Sequence, residues 1–180
     1  YLWPLAWLYG LVIYIRNCFF DWGWKKSRRF KTATISVGNI TVGGTGKTPH
    51  TEYIIQLLQQ QFKVAMVSRG YKRKSSGLQV ATASSSSSQL GDEPYQVYRK
   101  YPHTLVVVEA NRCKAIDYIE EKYPSTEVVV LDDAFQHRYV QADKNIVLID
   151  YNHPVFEDTL LPAGRLRESI NGLKRADYLI

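Results

Sequence analysis

The stretch that decides the fold reads Ser36-Val37-Gly38-Asn39-Ile40-Thr41-Val42-Gly43-Gly44-Thr45-Gly46-Lys47-Thr48-Pro49. It starts in a β-prone run at 33–37, passes through a glycine-rich loop and continues into apolar residues at helical spacing over 48–61. This order of strand, loop and helix is typical of a phosphate-binding P-loop. The P-loop pattern has glycine at its first position, where this chain has Thr41. The three later glycines and the order of strand, loop and helix still support the motif.

The residue types in this loop suit a nucleoside triphosphate. Glycines allow positive φ and close backbone approach, so successive N–H groups can surround phosphate oxygens at the start of a helix. Lys47 can reach the β- and γ-phosphates, and the Thr48 hydroxyl can ligate Mg²⁺. The alternative is a glycine-rich turn that precedes Lys-Thr by chance. The predicted nucleotide site comprises Thr41, Val42, Gly43, Gly44, Thr45, Gly46, Lys47 and Thr48.

The rest of the body alternates between β-prone and helical segments. Strands that are apolar throughout and separated by helices indicate a P-loop NTPase-like α/β fold, a mostly parallel sheet with helices on both faces. Ligands bind beyond the carboxyl ends of such strands. Five serines at 84–88 predict a flexible loop. We predict strands at 64–67, 78–83, 105–108, 128–131, 146–149 and 178–180, and helices at 93–100 (capped by Asp92), 112–122 and 166–173.

Two adjacent carboxylates, Asp132 and Asp133, follow the apolar run at 128–131. Like charges side by side repel, so such a pair at the end of a buried strand is unfavourable without a cation. A Mg²⁺ ion that bridges nucleotide phosphates would resolve the repulsion. The alternative is a solvated turn, where aspartate is common.

The residues alone do not decide the roles of three further loops and of one histidine. Gly91-Asp92-Glu93-Pro94 is either a plain helix start or the place of a base that takes a proton from an acceptor hydroxyl. The basic loop at 68–74, which contains Arg69, either clamps an anion or is simply solvated. His137 alone indicates no more than a surface histidine. The turn at 160–168 has no role that its residue types define.

The first 31 residues differ from the body. Residues 1–15 carry no charge, and a helix of that length covers roughly 22 Å, less than the ~30 Å hydrocarbon core of a bilayer. All four tryptophans lie within residues 1–24, and a basic stretch follows at 25–31. An apolar, aromatic helix followed by basic residues is typical of peripheral membrane anchoring. The alternative is a helix packed on the domain, followed by an exposed basic loop.

Composition excludes several classes of protein. The formal net charge is +6, but residues 1–31 hold six basic residues and one acidic residue, while residues 32–180 hold 17 and 16. The body is therefore close to neutral, which argues against nucleic acid as a partner. Cys18 and Cys113 are far apart, so neither a disulfide framework nor a zinc site is predicted. We predict a membrane-associating segment at 1–31 and a P-loop nucleotide-binding domain at 32–180, incomplete at its C-terminal end.

Taken together, the motifs resemble the tetraacyldisaccharide 4'-kinase family. The stretches that carry the resemblance are SVGNITVGGTGKTP at 36–49, SRGY at 68–71, GDEP at 91–94, LDD-FQH across 131–137 and LLPAG-LRE across 160–168. The order and spacing of these five stretches fit the family. The aromatic N-terminal helix and the basic stretch after it are similar to the family as well.

The resemblance implies a kinase that uses ATP and Mg²⁺ to phosphorylate the 4'-hydroxyl of an acylated glucosamine disaccharide 1-phosphate, giving lipid IVA. It implies a peripheral enzyme at the cytoplasmic face of the bacterial inner membrane, with no obligate protein partner. Lys47 and Thr48 would hold phosphates and metal, Asp132 and Asp133 would lie near the metal, and Asp92 would be the base. The catalytic set is thus Lys47, Asp92 and Asp133. The motif positions with less defined roles toward substrate are Arg69, Gln136, His137 and Glu168.

Three positions depart from the family pattern: Ala134 and Lys72 replace glycine, and Arg165 replaces proline. They concern the fine geometry beside the site. The family also has a C-terminal domain beyond the part matched here, so we expect residues 1–180 alone to transfer phosphate poorly. Two other functions remain open. One is a membrane-associated P-loop NTPase switch, which would need no acceptor sugar. The other is a binding module for anionic surfaces, which would have no affinity for Mg-ATP.

Overall fold

The computed structural model of the chain describes residues 2–180, and within that range seven strands form one sheet. Their order is β3-β4-β2-β5-β1-β6-β7, and every pairing is parallel except that of β3 with β4. The predicted, mostly parallel α/β sheet is therefore confirmed. The strands are β1 Ala33–Gly38, β2 Val64–Ser68, β3 Gln79–Val80, β4 Leu105–Val108, β5 Val128–Asp132, β6 Lys144–Val147 and β7 Tyr178–Leu179.

Helices cover both faces of the sheet, as the apolar strands predict. The helices are α1 Trp3–Asp21, α2 Lys47–Leu58, α3 Ser87–Leu90, α4 Asp92–Lys100 and α5 Arg112–Lys122, with short 3₁₀ helices at Val155–Glu157 and Ile170–Arg175. One core cluster joins Ile55 of α2 and Val97 of α4 to the sheet, and another joins Ile116 and Ile119 of α5 to the opposite face. Alternate residues of the buried strands supply the two clusters, as the period of a β-strand requires.

Several predicted boundaries are wrong for identifiable reasons. Part of the serine run is helical, because the Ser86 side chain and the Gln89 side chain form a capping box at the start of α3. The short helix expected at 166–173 begins only at Ile170, since the residues before it pair with neighbouring loops. Asp92 is the first residue of α4 and makes no capping hydrogen bond. The strand expected at 78–83 is reduced to a two-residue edge.

The first helix, α1, extends six residues beyond the apolar run from which it was predicted and lies against the end of the domain that carries the motifs. Arg138 ties its C-terminal turn to the body through the carbonyl of Asn17 at 3.1 Å and the carboxylate of Asp21 at 2.6 Å. Its apolar side chains remain mostly exposed. None of the helices in residues 2–180 has the length and apolar character that crossing a bilayer requires.

Candidate active site

The P-loop and the acidic pair lie at the same rim of the sheet. Strands β1 and β5 are parallel neighbours, and Val37 stands opposite Asp132 in their register. Both strands therefore end at the same edge, and the segments that leave them are brought side by side. The structure thus places residues 43–48 beside Asp132 and Asp133, and Lys47 Nζ lies 3.8 Å from an oxygen of Asp133.

The backbone of the P-loop has the conformation that its glycines predict. Gly43 has a φ of 113° and Gly46 a φ of 75°, values that side chains disfavour, and α2 begins directly afterwards at Lys47. The Asn39 amide donates to Thr45 Oγ1 at 2.7 Å across the base of the loop. The free N–H groups of the first helical turn therefore open toward the rim, as phosphate binding requires.

Thr41, in place of the first glycine of the pattern, forms part of a small ladder. It makes an antiparallel bridge with Leu166, and the next residue, Val42, donates its N–H to the carbonyl of Arg165 at 2.8 Å. A β-branched residue suits such an extended position. The 160–168 turn, whose role the residue types left undefined, thus packs along the P-loop.

Asp132 is a buried carboxylate, only 3% exposed. Ser68 Oγ at the end of β2 donates to one of its oxygens at 3.2 Å, and Thr51 Oγ1 of α2 donates to the other at 3.4 Å. Burial first, and then the charges of Glu93 and Asp133, raise its pKa to about 6, while the Ser68 hydrogen bond and the Arg112 charge oppose this shift. The nearby cations thus leave the charge of this carboxylate only partly compensated, a condition that a divalent metal would relieve.

Asp133 leaves the strand in a left-handed conformation, with a φ of 44°. Aspartate tolerates this region better than most residues, and such local strain is found at functional sites. Arg167 Nη1 contacts both carboxylate oxygens at 3.0 Å. Lys47 and Arg167 thus place two cations beside the acidic pair.

Two basic residues that the sequence reasoning did not single out shape the rim. Arg112, at the start of α5, is buried, and its guanidinium donates to the carbonyl of Asp132 at 3.2 Å. Burial lowers its pKa, while the carboxylates of Asp132 and Asp133 oppose that shift. The sequence indicates Arg112 only by its position shortly after strand β4, because the parallel strands end at the same sheet edge as the motifs. Arg167 was quoted within a motif but given no role.

Gln136 and Glu168 belong to one hydrogen-bonded network. The Gln136 amide donates to the carbonyl of Asn39 at 2.6 Å and to Glu168 Oε1 at 3.2 Å. Glu168 is buried, and the guanidinium of Arg175 donates to its other oxygen at 2.7 Å. The network therefore ties the chain after the acidic pair to the base of the P-loop and to the 160–168 turn.

His137 faces the same space in neutral form. Burial first, and then the charges of Arg112, Arg16 and Arg69, lower its pKa to about 4. Its Nε2 is buried and has no hydrogen-bond partner within residues 2–180. The ring is therefore free to make one hydrogen bond to a ligand in the cavity.

A cavity of about 900 Å³ joins these groups and extends from the P-loop to α1. Seven basic and four acidic side chains line it, which suits a polyanionic ligand. Of the predicted residues, it is lined by Val42, Gly43, Lys47, Arg69, Asp132, Asp133, Gln136, His137 and Glu168. The predicted residues that do not line it are Thr41, Gly44, Thr45, Gly46, Thr48 and Asp92. Glu93, the neighbour of Asp92, does line it, and Asp92 itself is exposed at the N-terminus of α4.

The rim fits a magnesium ion shared with a ligand better than a metal held by protein alone. Within residues 2–180, no group of three or more His, Cys, Asp or Glu side chains converges on one point. Mg²⁺ keeps several waters and is usually bound through one or two carboxylates together with substrate phosphates. Asp132 and Asp133 supply such a pair beside the P-loop.

Comparisons with known proteins agree with this geometry. A sequence model of the family described as Tetraacyldisaccharide-1-P 4'-kinase matches residues 1–180. A tetraacyldisaccharide 4'-kinase of Phocaeicola vulgatus is 53% identical over all of this chain and 50% of its own length. The one from Flavobacterium psychrophilum is 49% identical over 99% of this chain and 52% of its own length. The chain thus spans about half the length of the curated relatives it matches.

A solved structure shares the fold closely. The crystal structure of LpxK from Aquifex aeolicus in complex with ATP superposes with a TM-score of 0.91 and 41% sequence identity. The superposition covers 99% of this chain and 56% of the other.

Proposed function

Because the chain belongs to the tetraacyldisaccharide-1-P 4'-kinase family, we propose that it supplies the nucleotide-binding part of a lipid kinase. The enzyme transfers the γ-phosphate of Mg-ATP to the 4'-hydroxyl of an acylated glucosamine disaccharide 1-phosphate, a step of lipid A synthesis that forms lipid IVA. The observation that carries the proposal is the rim where the P-loop, Lys47 and the acidic pair meet, at one end of a basic cavity that reaches α1.

In this proposal the chain contributes mainly position and charge, as phosphoryl transfer requires. Backbone N–H groups from Gly43 to Thr48 surround the phosphates, and Lys47 neutralises charge on the transferred group. Asp132, Asp133 and the Thr48 hydroxyl would hold Mg²⁺, which when bound screens the phosphate charges and aligns them for in-line attack. Arg167 holds Asp133 in place.

Asp92 and several cavity-lining residues would act on the acceptor. Asp92 would accept the proton of the attacking hydroxyl, and its position at the start of α4, directly before the cavity-lining Glu93, supports that role. His137, with its buried and unpartnered nitrogen, is available to orient the sugar. Arg69, Gln136 and Glu168 also line the cavity and would position the acceptor.

We further propose that residues 1–31 hold the kinase domain at 32–180 against the cytoplasmic face of the bacterial inner membrane. A multi-acyl lipid leaves the bilayer only at a cost of about 0.8 kcal/mol per CH₂, so the enzyme must come to its acceptor. The exposed apolar face of α1, including Trp7 and Leu8, supports this role, together with exposed Trp22 and Trp24 and the basic residues that follow.

The test is a transfer assay with the full-length enzyme, γ-labelled ATP, Mg²⁺ and the acylated disaccharide 1-phosphate in mixed micelles. We expect label on the lipid with wild type, and loss of transfer in both Lys47→Ala and Asp92→Asn. ATP binding should be lost in Lys47→Ala but kept in Asp92→Asn. Release of free phosphate without labelled lipid would instead identify an NTPase switch, and unchanged transfer in Asp92→Asn would remove that residue as the base.

A further inference from the structure

Tyr9 connects the N-terminal helix directly to the acidic rim. Its hydroxyl donates to the backbone carbonyl of Arg167 at 2.7 Å. The guanidinium of the same arginine contacts both oxygens of Asp133 at 3.0 Å, and Asp133 in turn faces Lys47 at 3.8 Å. A short chain of contacts therefore leads from α1 to the group that would hold the transferred phosphate.

The environment of Tyr9 differs from that of the exposed side chains around it on α1. Tyr9 belongs to the apolar run at 1–15, but its hydroxyl is turned toward the body of the protein. Burial raises the pKa of the phenol, so the hydroxyl remains a hydrogen-bond donor throughout the physiological range. At Gly10, the next residue, α1 packs closely against the 160–168 turn, since a Cβ there would lie 2.7 Å from Leu160 Cδ1.

Arg167 is held from two sides at its backbone. Its N–H donates to the carbonyl of Ile40, at the base of the P-loop, at 2.7 Å. Its carbonyl accepts from Tyr9 on the other side. Because the backbone groups on both sides of its Cα are hydrogen-bonded, the side chain of Arg167 starts from a defined position from which it reaches Asp133. Loss of the Tyr9 contact would leave only the P-loop side of this attachment.

We propose that Tyr9 is a positioning residue that acts through Arg167 to hold Asp133 in the orientation that metal and phosphate require. The inference rests on the proposed kinase function and adds to it a second role for α1. The helix α1, which is proposed to contact the membrane, also helps to position Asp133. Membrane binding and catalysis therefore depend on the same helix. A second contact, from the Arg16 guanidinium to the carbonyl of Gln136 at 2.6 Å, fixes the same helix nearby.

The test uses Tyr9→Phe in the full-length enzyme, since this change removes one oxygen and keeps the ring. The control is Tyr151→Phe, at a tyrosine that is 95% exposed. We expect kcat to fall roughly five- to tenfold in Tyr9→Phe, the scale of one hydrogen bond, and the Mg²⁺ concentration for half-maximal rate to rise. The KM for the lipid acceptor should stay within error, the melting temperature should fall by no more than a few degrees (roughly one hydrogen bond), and the control should match wild type.

A double-mutant cycle then tests the route. If Tyr9 acts through Arg167, its substitution should have little further effect in an Arg167→Met background, so the two losses should be strongly non-additive. Additive losses would overturn the inference, as would an effect confined to the KM for the acceptor, which would mean direct contact with lipid. Wild-type enzyme without any transfer would instead refute the proposed function, so the two failures are distinguishable.

Discussion

The acidic rim and the exposed face of α1 are built in opposite ways. At the rim, Asp132 is 3% exposed and its oxygens are held by side chains from two other elements. At α1, Trp7 is 78% exposed and makes up part of an open apolar face. At the rim, the protein's own side chains shield the carboxylate from water. On α1, an apolar surface is left exposed, which fits the proposed contact with a bilayer.

The largest expected effect is that of Lys47→Ala, which should abolish phosphate transfer and leave the proposed membrane binding of α1 unchanged. We expect phosphate transfer by the full-length enzyme to fall at least roughly 1,000-fold, since this lysine neutralises charge on the transferring group. Binding to vesicles that contain anionic lipid should be unchanged when measured by co-sedimentation. Equal loss of both activities would mean that the two regions are not separable.

The rim can also be probed by the pH dependence of folding without any ligand. The raised pKa of Asp132 favours the folded state when the group is protonated, and this contribution is lost as pH rises from about 4 through 6. The lowered pKa of His137 has the opposite sign, because its contribution is present above about 6.5 and is lost as pH falls toward 4. The two effects oppose each other in the wild type.

Single variants should therefore separate the two groups. Relative to wild type, we expect the unfolding free energy of Asp132→Asn to rise between pH 4 and 7, by up to about 3 kcal/mol. That of His137→Gln should fall over the same range. Urea denaturation at several pH values measures both differences. Parallel curves for the three proteins would show that neither group is buried as described.

Substitutions on the exposed apolar face of α1 should change vesicle binding and leave the nucleotide site intact. In Trp7→Ser, we expect vesicle affinity to fall roughly tenfold, because a large exposed aromatic no longer enters the lipid interface. The Kd for Mg-ATP should not change. Co-sedimentation and calorimetry on the same preparation measure the two properties. An unchanged vesicle affinity would favour a helix that simply packs on the domain.

Two adjacent glycines sharpen the account of the P-loop itself. A Cβ at either Gly43 or Gly44 would meet no atom within 4 Å, but only Gly43 has a positive φ, of 113°. We therefore expect Gly43→Ala to cost about 1 kcal/mol of stability and Gly44→Ala to cost little. Thermal unfolding of the two variants side by side provides the comparison. Similar losses would indicate a crowded loop instead of a strained one.

Much of the rim could be predicted from the sequence because its parts are local in the chain. The glycine-rich loop lies between one strand and one helix, and Asp132 and Asp133 directly follow another strand, so the parallel-sheet rule was enough to bring them together. The buried character of these strands likewise identified the helices on both faces.

The contacts of α1 with the rim could not be predicted because they join residues more than 100 positions apart. The pairing of Tyr9 with Arg167 spans 158 positions, and that of Arg16 with Gln136 spans 120. No periodicity in α1 indicates which tyrosine turns inward. The end of the serine run was also misjudged, because one pair of side-chain capping bonds outweighs a composition typical of loops.

The most direct test of the central claim is ATP binding by calorimetry, with excess Mg²⁺ and with EDTA, for the full-length protein and its Asp132→Asn variant. If the P-loop and the acidic pair hold a metal–triphosphate together, Mg²⁺ should strengthen ATP binding by roughly tenfold or more in wild type, and the variant should lose that gain. An equal gain from Mg²⁺ in both proteins, or no ATP binding by wild type, would contradict the account.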